Sequence, residues 1–215
     1  MTKSLELLNS RISAKRYQKD FKLSDEQKKE LLESVRWAPS AFGMEPFKVL
    51  LIENEKIREE ILPAWWNQVG VTQSSAIMIW VGYKEEYLKT IHFKEQTERN
   101  IPAGFENIRE AMIGGVNTVL TTLDMTINEW VARQAYLSLG TVLNTAQELE
   151  IDVCPSEGFD SNMVGEVLAK HNLINLDNEK VLVGMFIGKV DTTQEFHHSF
   201  TKTRRPIEKA YKIVK

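Results

Sequence analysis

Apolar residues recur along this chain in two rhythms, one of period near 3.6 and one that is continuous or alternating, and the switch between them marks its elements. Residues 3–10 form a short amphipathic helical pattern, followed by the polar and basic run Ser10-Arg11-Ile12-Ser13-Ala14-Lys15-Arg16-Tyr17. A second helix is predicted to open at Ser24, because Gln27 three residues later completes a capping box. Leu31, Leu32, Val35 and Trp37 supply its apolar positions, and Ala38-Pro39 ends it, since proline can neither donate to the helix nor tolerate helical geometry before it. Beyond a loop from Ser40 to Pro46, Phe47 to Ile52 reads as a largely buried strand and Glu55 to Leu62 as a helix. Ala76 to Gly82 is apolar throughout, the signature of a central strand covered on both faces. Residues 84–123 are mixed and mostly helical, broken near Pro102 and Gly104 and again at Gly114-Gly115.

Glu129 to Glu150 is a long helix with Trp130, Val131, Ala135, Leu139, Val142, Leu143 and Ala146 spread over more than one face. So wide an apolar surface places it at the centre of the core or at a subunit interface. Ile151 to Cys154 is a short strand, Asp160 caps a helix running to about Lys170, and Lys180 to Val190 is a further strand before a polar tail. Helices and strands intermix without tandem repeats or low-complexity linkers, so the class is α+β or α/β in one layered domain spanning residues 1–215.

Composition narrows the function. The 215 residues are long enough to bury roughly 70% of the unfolded surface without metal or disulfide staples. A formal net charge of −3 argues against a protein that coats nucleic acid. The one cysteine, Cys154, forms no intrachain disulfide and suits a reducing, cytoplasmic compartment. No apolar run reaches the ~18–20 residues of a membrane span, and the opening residues turn polar too soon for a signal peptide. Walker A, G-x-G-x-x-G and G-x-S-x-G motifs are absent from the sequence, which disfavours a Rossmann-type nicotinamide enzyme. His92, His171, His197 and His198 lack metal-helix spacing to a carboxylate or cysteine, and the adjacent pair His197-His198 faces opposite sides if extended, so no metal is expected. Cys154 has no neighbouring base in the sequence and reads as core.

What remains is charge at the two chain ends. Arg11, Lys15 and Arg16 cluster near the start and Lys202, Arg204 and Arg205 near the end, interleaved with Ser13, Thr201 and Thr203. Either cluster alone reads most simply as a solvated basic patch. Brought together, guanidinium forks, ammonium charges and a hydroxyl donor are what a phosphate dianion needs. One pocket built from both ends would also hold down a tail otherwise free to fray.

Four segments, in order, resemble the nitroreductase family of FMN-dependent NAD(P)H oxidoreductases. They are Arg11-x-Ser13-x-Lys15; Ala38-Pro39-Ser40-Ala41-x-x-x-Glu45-Pro46-Phe47; Pro155-x-Glu157-Gly158-Phe159; and Lys202-Thr203-Arg204-Arg205-Pro206. The resemblance implies an α+β fold with a mixed central sheet flanked by helices, an intertwined homodimer, and two FMN sites at its interface. It implies that Arg11, Ser13, Lys202 and Arg204, with Ile12 between the first two, hold the phosphate end of FMN. Lys15 would lie by the isoalloxazine and the nicotinamide site. Ser40, Ala41 and Gly43 match a loop reaching the flavin from the partner subunit, with Phe42 at the pocket mouth facing the acceptor. Asn67 matches an asparagine on the pyrimidine edge that also meets substrate, and Glu157 and Gly158 match the flavin loop. The implied reaction is a ping-pong hydride transfer from NAD(P)H to nitroaromatics, quinones or similar electron-poor acceptors. Binding and tuning the flavin needs no indispensable catalytic side chain. A flavin, pterin or enone reductase, or a poorly catalytic FMN-binding protein, are the alternatives.

Several positions depart from the family pattern. Ala41 stands where serine is common, Phe42 and Gly43 replace smaller or amide side chains, Ile12 stands where some relatives have histidine, and Gly70 falls where some members place a lysine. Trp65, Trp66 and Phe105 read first as core or dimer packing, and second as an aromatic wall over the flavin.

Overall fold

The computed structural model describes residues 1–198 and 200–215. In chain order the helices and strands are α1 (Lys3–Ser10), α2 (Asp25–Arg36), β1 (Phe47–Ile52), α3 (Glu55–Ile61), α4 (Gly70–Gln73), β2 (Ala76–Tyr83) and α5 (Glu85–Tyr87). A π turn over Leu88–His92 leads into α6 (Phe93–Asn100), then α7 (Glu106–Thr122), α8 (Ile127–Glu148), β3 (Asp152–Ser156), α9 (Ser161–Lys170), β4 (Glu179–Gly188) and α10 (Ile207–Ala210).

Local chemistry sets several of these boundaries. Ser24 and Gln27 form the reciprocal capping box that starts α2. Thr126 and Glu129 form a second box, so the long helix α8 begins two residues before the predicted Glu129 and ends at Glu148. Asp160 accepts the backbone N–H groups of Asn162 and Met163 and opens α9. Trp37 departs from its predicted place on the apolar face of α2. It lies past the last helical turn, 74% exposed, with its ring against the Arg36 guanidinium and its indole N–H donated to Glu33.

The four strands run in the order β1-β2-β4-β3, each neighbour antiparallel. A parallel element enters at the outer edge of β3, where Ser13 bridges Val153. Because successive side chains point to opposite faces, the continuous apolar run of β2 serves two cores. Ile77, Ile79 and Val81 join Phe186 and Cys154 beneath α3 and α9, while Ala76, Met78 and Trp80 join Val183, Met185 and Ile187 beneath α2 and α8. A third cluster around Met44, Phe93, Val116 and Trp130 gathers α6, α7 and the start of α8 beside the sheet. Two buried indoles are satisfied by hydroxyls, Trp65 donating to Ser156 and Trp80 to Ser138, each at 2.9 Å.

The segment after α1 is threaded as a ribbon between the sheet edge and the tail. Ala14 N–H donates to the Val153 carbonyl, Lys15 N–H to His197 and Gln18 N–H to Lys189, while Asp191 N–H returns to Arg16. Tyr17 pins the ribbon. Its ring is fully buried and fills the space where a Cβ on Gly188 would stand, 2.7 Å from the ring.

Gly184, in the middle of β4, is held to glycine by packing. A Cβ there would lie 2.7 Å from Trp65, whose own ring is stacked on Phe159 at 4.1 Å and cannot easily give way. Gly184→Ala is expected to cost about 1–3 kcal/mol by overpacking, seen as a lower urea midpoint at unchanged slope.

Candidate functional site

The clamp between the chain ends builds the first part of a site. Arg11 ends α1, and its Nη1 is buried without a partner among the described residues. Lys202, 191 residues further on, donates its ammonium to the carbonyls of Arg11 (2.7 Å) and Leu8 (3.0 Å), the unpaired carbonyls that a helix C-terminus offers to a cation. Arg11, Ser13, Lys202 and Arg204, with Ile12, His198 and Phe200, enclose a cavity of about 240 Å³. Partial burial, then the neighbouring charges of Arg11 and Arg204, hold the Lys202 ammonium below its usual pKa. Among the described residues no carboxylate lines this lobe. Cations that repel one another around an unfilled donor set are matched by an oxyanion.

A second cavity of about 500 Å³ adjoins the first, sharing His198 and Phe200. Its lining is chiefly apolar and includes Phe186, Val69, Phe196 and Gly70, with Lys15, Asn67 and Gln68 as polar members. Lys15 stands in both rhythms of the ribbon: its backbone is paired to the tail, and its ammonium lies 3.3 Å from the Cys154 sulfur. Cys154 is buried as expected, but it has a basic neighbour that only the fold supplies. Trp66 and Asn67 adopt left-handed backbone geometry (φ 49° and 58°), which turns the chain sharply out of the Pro63–Trp65 turn. The same turn lets the Gln68 amide donate to the Gly158 carbonyl at 3.2 Å, which brings the Glu157-Gly158 loop to the cavity rim. Glu157 accepts the Tyr136 hydroxyl, and burial followed by that carboxylate pushes the phenol pKa up.

The cleft therefore collects Arg11, Ile12, Ser13, Lys15, Asn67, Lys202 and Arg204; Gly158 touches it through its bond from Gln68, while the Glu157 carboxylate is turned to Tyr136. It does not collect Ser40, Ala41, Phe42 and Gly43. Within one chain this loop belongs to the helical annex: Ala41 N–H donates to Gln134, the Gly43 carbonyl accepts from Gln96, and Phe42 packs against Gly115. The depressions that Ser40, Ala41 and Gly43 line share no residue with the cleft. Of the three aromatics, Trp65 is core, whereas Trp66 and Phe105 are exposed in the single chain. His197 and His198 pack ring to ring at 4.3 Å instead of facing apart, because the tail bends there. His198, Phe196 and Phe200 escaped sequence reasoning, since only the closure of the tail over the ribbon brings them to the cleft, and so did Phe186, which reaches it from β4.

A family model described as the nitroreductase family matches residues 8–189. The chain belongs to the nitroreductase family. A Staphylococcus haemolyticus protein provisionally named NAD(P)H nitroreductase is 29% identical over 182 residues, covering 81% of this chain and 82% of that protein. Among solved structures, a nitroreductase-like protein from Streptococcus mutans superposes with a TM-score of 0.77 at 17% identity, covering 98% of this chain and 97% of the other. A provisionally named nitroreductase of Exiguobacterium sibiricum, crystallised in complex with FMN, superposes at 0.74 with 21% identity, covering 100% of this chain and 98% of the other. The match to the nitroreductase family ends at residue 189, so the Lys202–Pro206 segment lies beyond it and is tied to the rest by the contacts of the tail.

The departure at Gly70 has a steric cause. A Cβ at that position would stand 2.6 Å from the Phe186 ring, so the aromatic floor of the cleft and a side chain at position 70 exclude each other. Gly70→Ala is expected to destabilise by about 1–3 kcal/mol. Phe186→Leu in the same molecule should recover part of that loss, a coupling read from a double-mutant cycle of thermal unfolding.

Proposed function

We propose that this chain is an FMN-dependent NAD(P)H oxidoreductase that acts as a homodimer on nitroaromatics, quinones or similar electron-poor acceptors by a ping-pong cycle. The observation that carries the reading is the two-part cleft, a carboxylate-free basic lobe opening into a larger apolar one. FMN has that division, a dianionic phosphate on a flexible chain and a flat ring. The buried, unpartnered Nη1 of Arg11 is the sharpest sign of fit, because an orphaned guanidinium donor is costly unless an anion meets it.

Arg11, Lys202 and Arg204, with the Ser13 hydroxyl, hold the phosphate; Lys202 also fixes the tail to α1. FMN held by these residues would supply the two-electron chemistry that links NAD(P)H to an acceptor. Lys15 places a positive charge in the lining of the apolar lobe and favours a negatively charged ring. Phe186 and Gly70 present a flat floor, Asn67 a polar edge, and the Glu157-Gly158 loop backbone groups at the rim. Phe196 and Phe200 add exposed aromatic surface to the lining of the apolar lobe. Reductant and acceptor use the same opening in turn, which is why no acid–base pair is required of the protein.

The homodimer is supported by apolar surface that one chain cannot bury. Leu137 and Tyr136 on α8, Leu123 after α7, and Ile207, Tyr211 and Ile213 in the tail are all exposed. Leu123, Tyr136 and Leu137 line one apolar depression, and exposed apolar patches of this kind mark interfaces. A second copy covering them would bring its own Ser40–Gly43 loop toward this cleft.

The purified protein should be yellow and should bleach when NADH or NADPH is added without air; a colourless protein that refuses added FMN overturns the reading. Arg11→Ala is expected to weaken FMN binding about tenfold to a hundredfold, by fluorescence titration, as for the loss of a charge-assisted contact. Leu137→Glu should shift the protein from dimer to monomer in sedimentation and release flavin with it. A monomeric wild type that retains flavin would remove the partner loop from the site.

A further inference from the structure

A third cavity, of about 390 Å³, lies on the other side of α4 from the cleft, and Val69 lines both. Its floor is Arg58 of α3, a side chain only 2% exposed. The Arg58 Nη1 donates to the Ser74 carbonyl at 2.5 Å and leans on the Val71 carbonyl at 3.5 Å, at the end of α4. That leaves the other edge of the guanidinium, whose Nε is buried with no partner. Among the described residues no ion pair joins Arg58 to a carboxylate. Arginine stays charged when buried, so an unpaired cation with a free fork sits at the bottom of a polar hollow.

The walls repeat the theme. Lys19 and Lys22 stand on one side, and Thr72 and Gln73 on the other. Gln73 spends its amide oxygen on the Tyr17 N–H, leaving its amide nitrogen as the group that can serve the cavity. Two carboxylates, Glu55 and Glu59, share the rim; Glu55 lies 3.8 Å from Lys22, and both residues are exposed, where solvent screens them. Burial disfavours the Arg58 charge and the nearby carboxylates of Glu55, Glu53 and Glu59 favour it, but none of them pairs with it among the described residues, so its guanidinium is the group at the floor that an anion would meet.

We propose that this cavity is a second oxyanion site, built to take a phosphate monoester on the free edge of Arg58 with Lys19 and Lys22 closing over it. The inference rests on the proposed function for its source of phosphate. α4 is a single turn, about 6 Å long, so a dinucleotide with its nicotinamide in the cleft can carry a phosphate of its adenosine end around that turn. Free inorganic phosphate is the other source of the same chemistry.

The test is isothermal titration of the FMN-saturated full chain at low ionic strength with inorganic phosphate, adenosine 2′-monophosphate and adenosine. Phosphate binding that Lys19→Gln combined with Lys22→Gln weakens about tenfold or more, with flavin retained, supports the site. Arg58→Lys, which keeps the charge and loses the fork, should weaken it likewise; the lysine pair decides the matter if that variant does not fold. Tighter binding of adenosine 2′-monophosphate than of phosphate, lost in the same variants, assigns the site to the dinucleotide; equal affinities assign it to free phosphate. Absence of phosphate binding, or binding indifferent to Lys19 and Lys22, overturns the proposal. A protein that stays colourless with FMN fails the functional reading instead, and the Lys19→Gln and Lys22→Gln comparison still decides this site, because neither lysine lines the first lobe.

Discussion

The structure depends on the pairing of residues 13–18 with two partners at once, the outer edge of β3 and the chain after β4. Backbone hydrogen bonds alternate from one side of this ribbon to the other, and Tyr17, fully buried, locks it over Gly188. An edge strand left open is a liability, and here the protein's own first segment closes it. The same closure positions Arg11 beside Lys202, sets Lys15 against Cys154, and carries Phe196 and His198 over the apolar lobe. The Tyr17 phenol is held neutral by its burial, which pushes its pKa well up, and its hydroxyl donates to the Ala14 carbonyl of its own ribbon. Loss of this pairing would therefore unmake the cleft before it unmade the sheet.

Electrostatics at the cleft work against the folded chain taken by itself. Arg11, Lys202 and Arg204 face one cavity with no carboxylate among them, and one Arg11 nitrogen is buried without an acceptor. Such a site lowers stability in exchange for affinity, the usual relation between binding sites and the scaffolds that carry them. Elsewhere the protein pairs its buried charges: Lys48 meets Glu179 at 2.7 Å where β1 and β4 flank β2. The contrast between a paired cation in the framework and unpaired ones at Arg11 and Arg58 is what separates structural charge from binding charge in this molecule.

The aromatic floor illustrates a second trade. Phe186 belongs to the core beneath α3 and α9 and also lines the cleft, so packing and binding share one ring. Gly70 is the complement of that ring: with no Cβ, α4 approaches closely enough for Phe186 to lie flat beneath it. A lysine at position 70 and a phenylalanine at 186 cannot coexist in this geometry. The positive charge of the apolar lobe accordingly comes from Lys15 and Arg16 on the ribbon.

Whatever is decided within a few residues was legible from the sequence. Ser24 with Gln27, Asp160, the apolar run of β2 and the limits of β1 are local devices, each satisfying backbone groups or burying a face with neighbours in the chain. The four segments that resemble the nitroreductase family were legible for the same reason, being short runs of residue types. Contacts between distant residues were not. That Lys202 reaches Arg11, that Trp37 turns outward while Trp65 is engulfed, that Lys15 meets Cys154, and that Arg58 on an ordinary surface-looking helix ends up buried all depend on which elements the sheet brings side by side. No periodicity encodes that choice, because it is settled by the whole core closing at once. Sequence determined the pieces and the kind of chemistry they carry; tertiary packing alone decided which charges would be left without a partner.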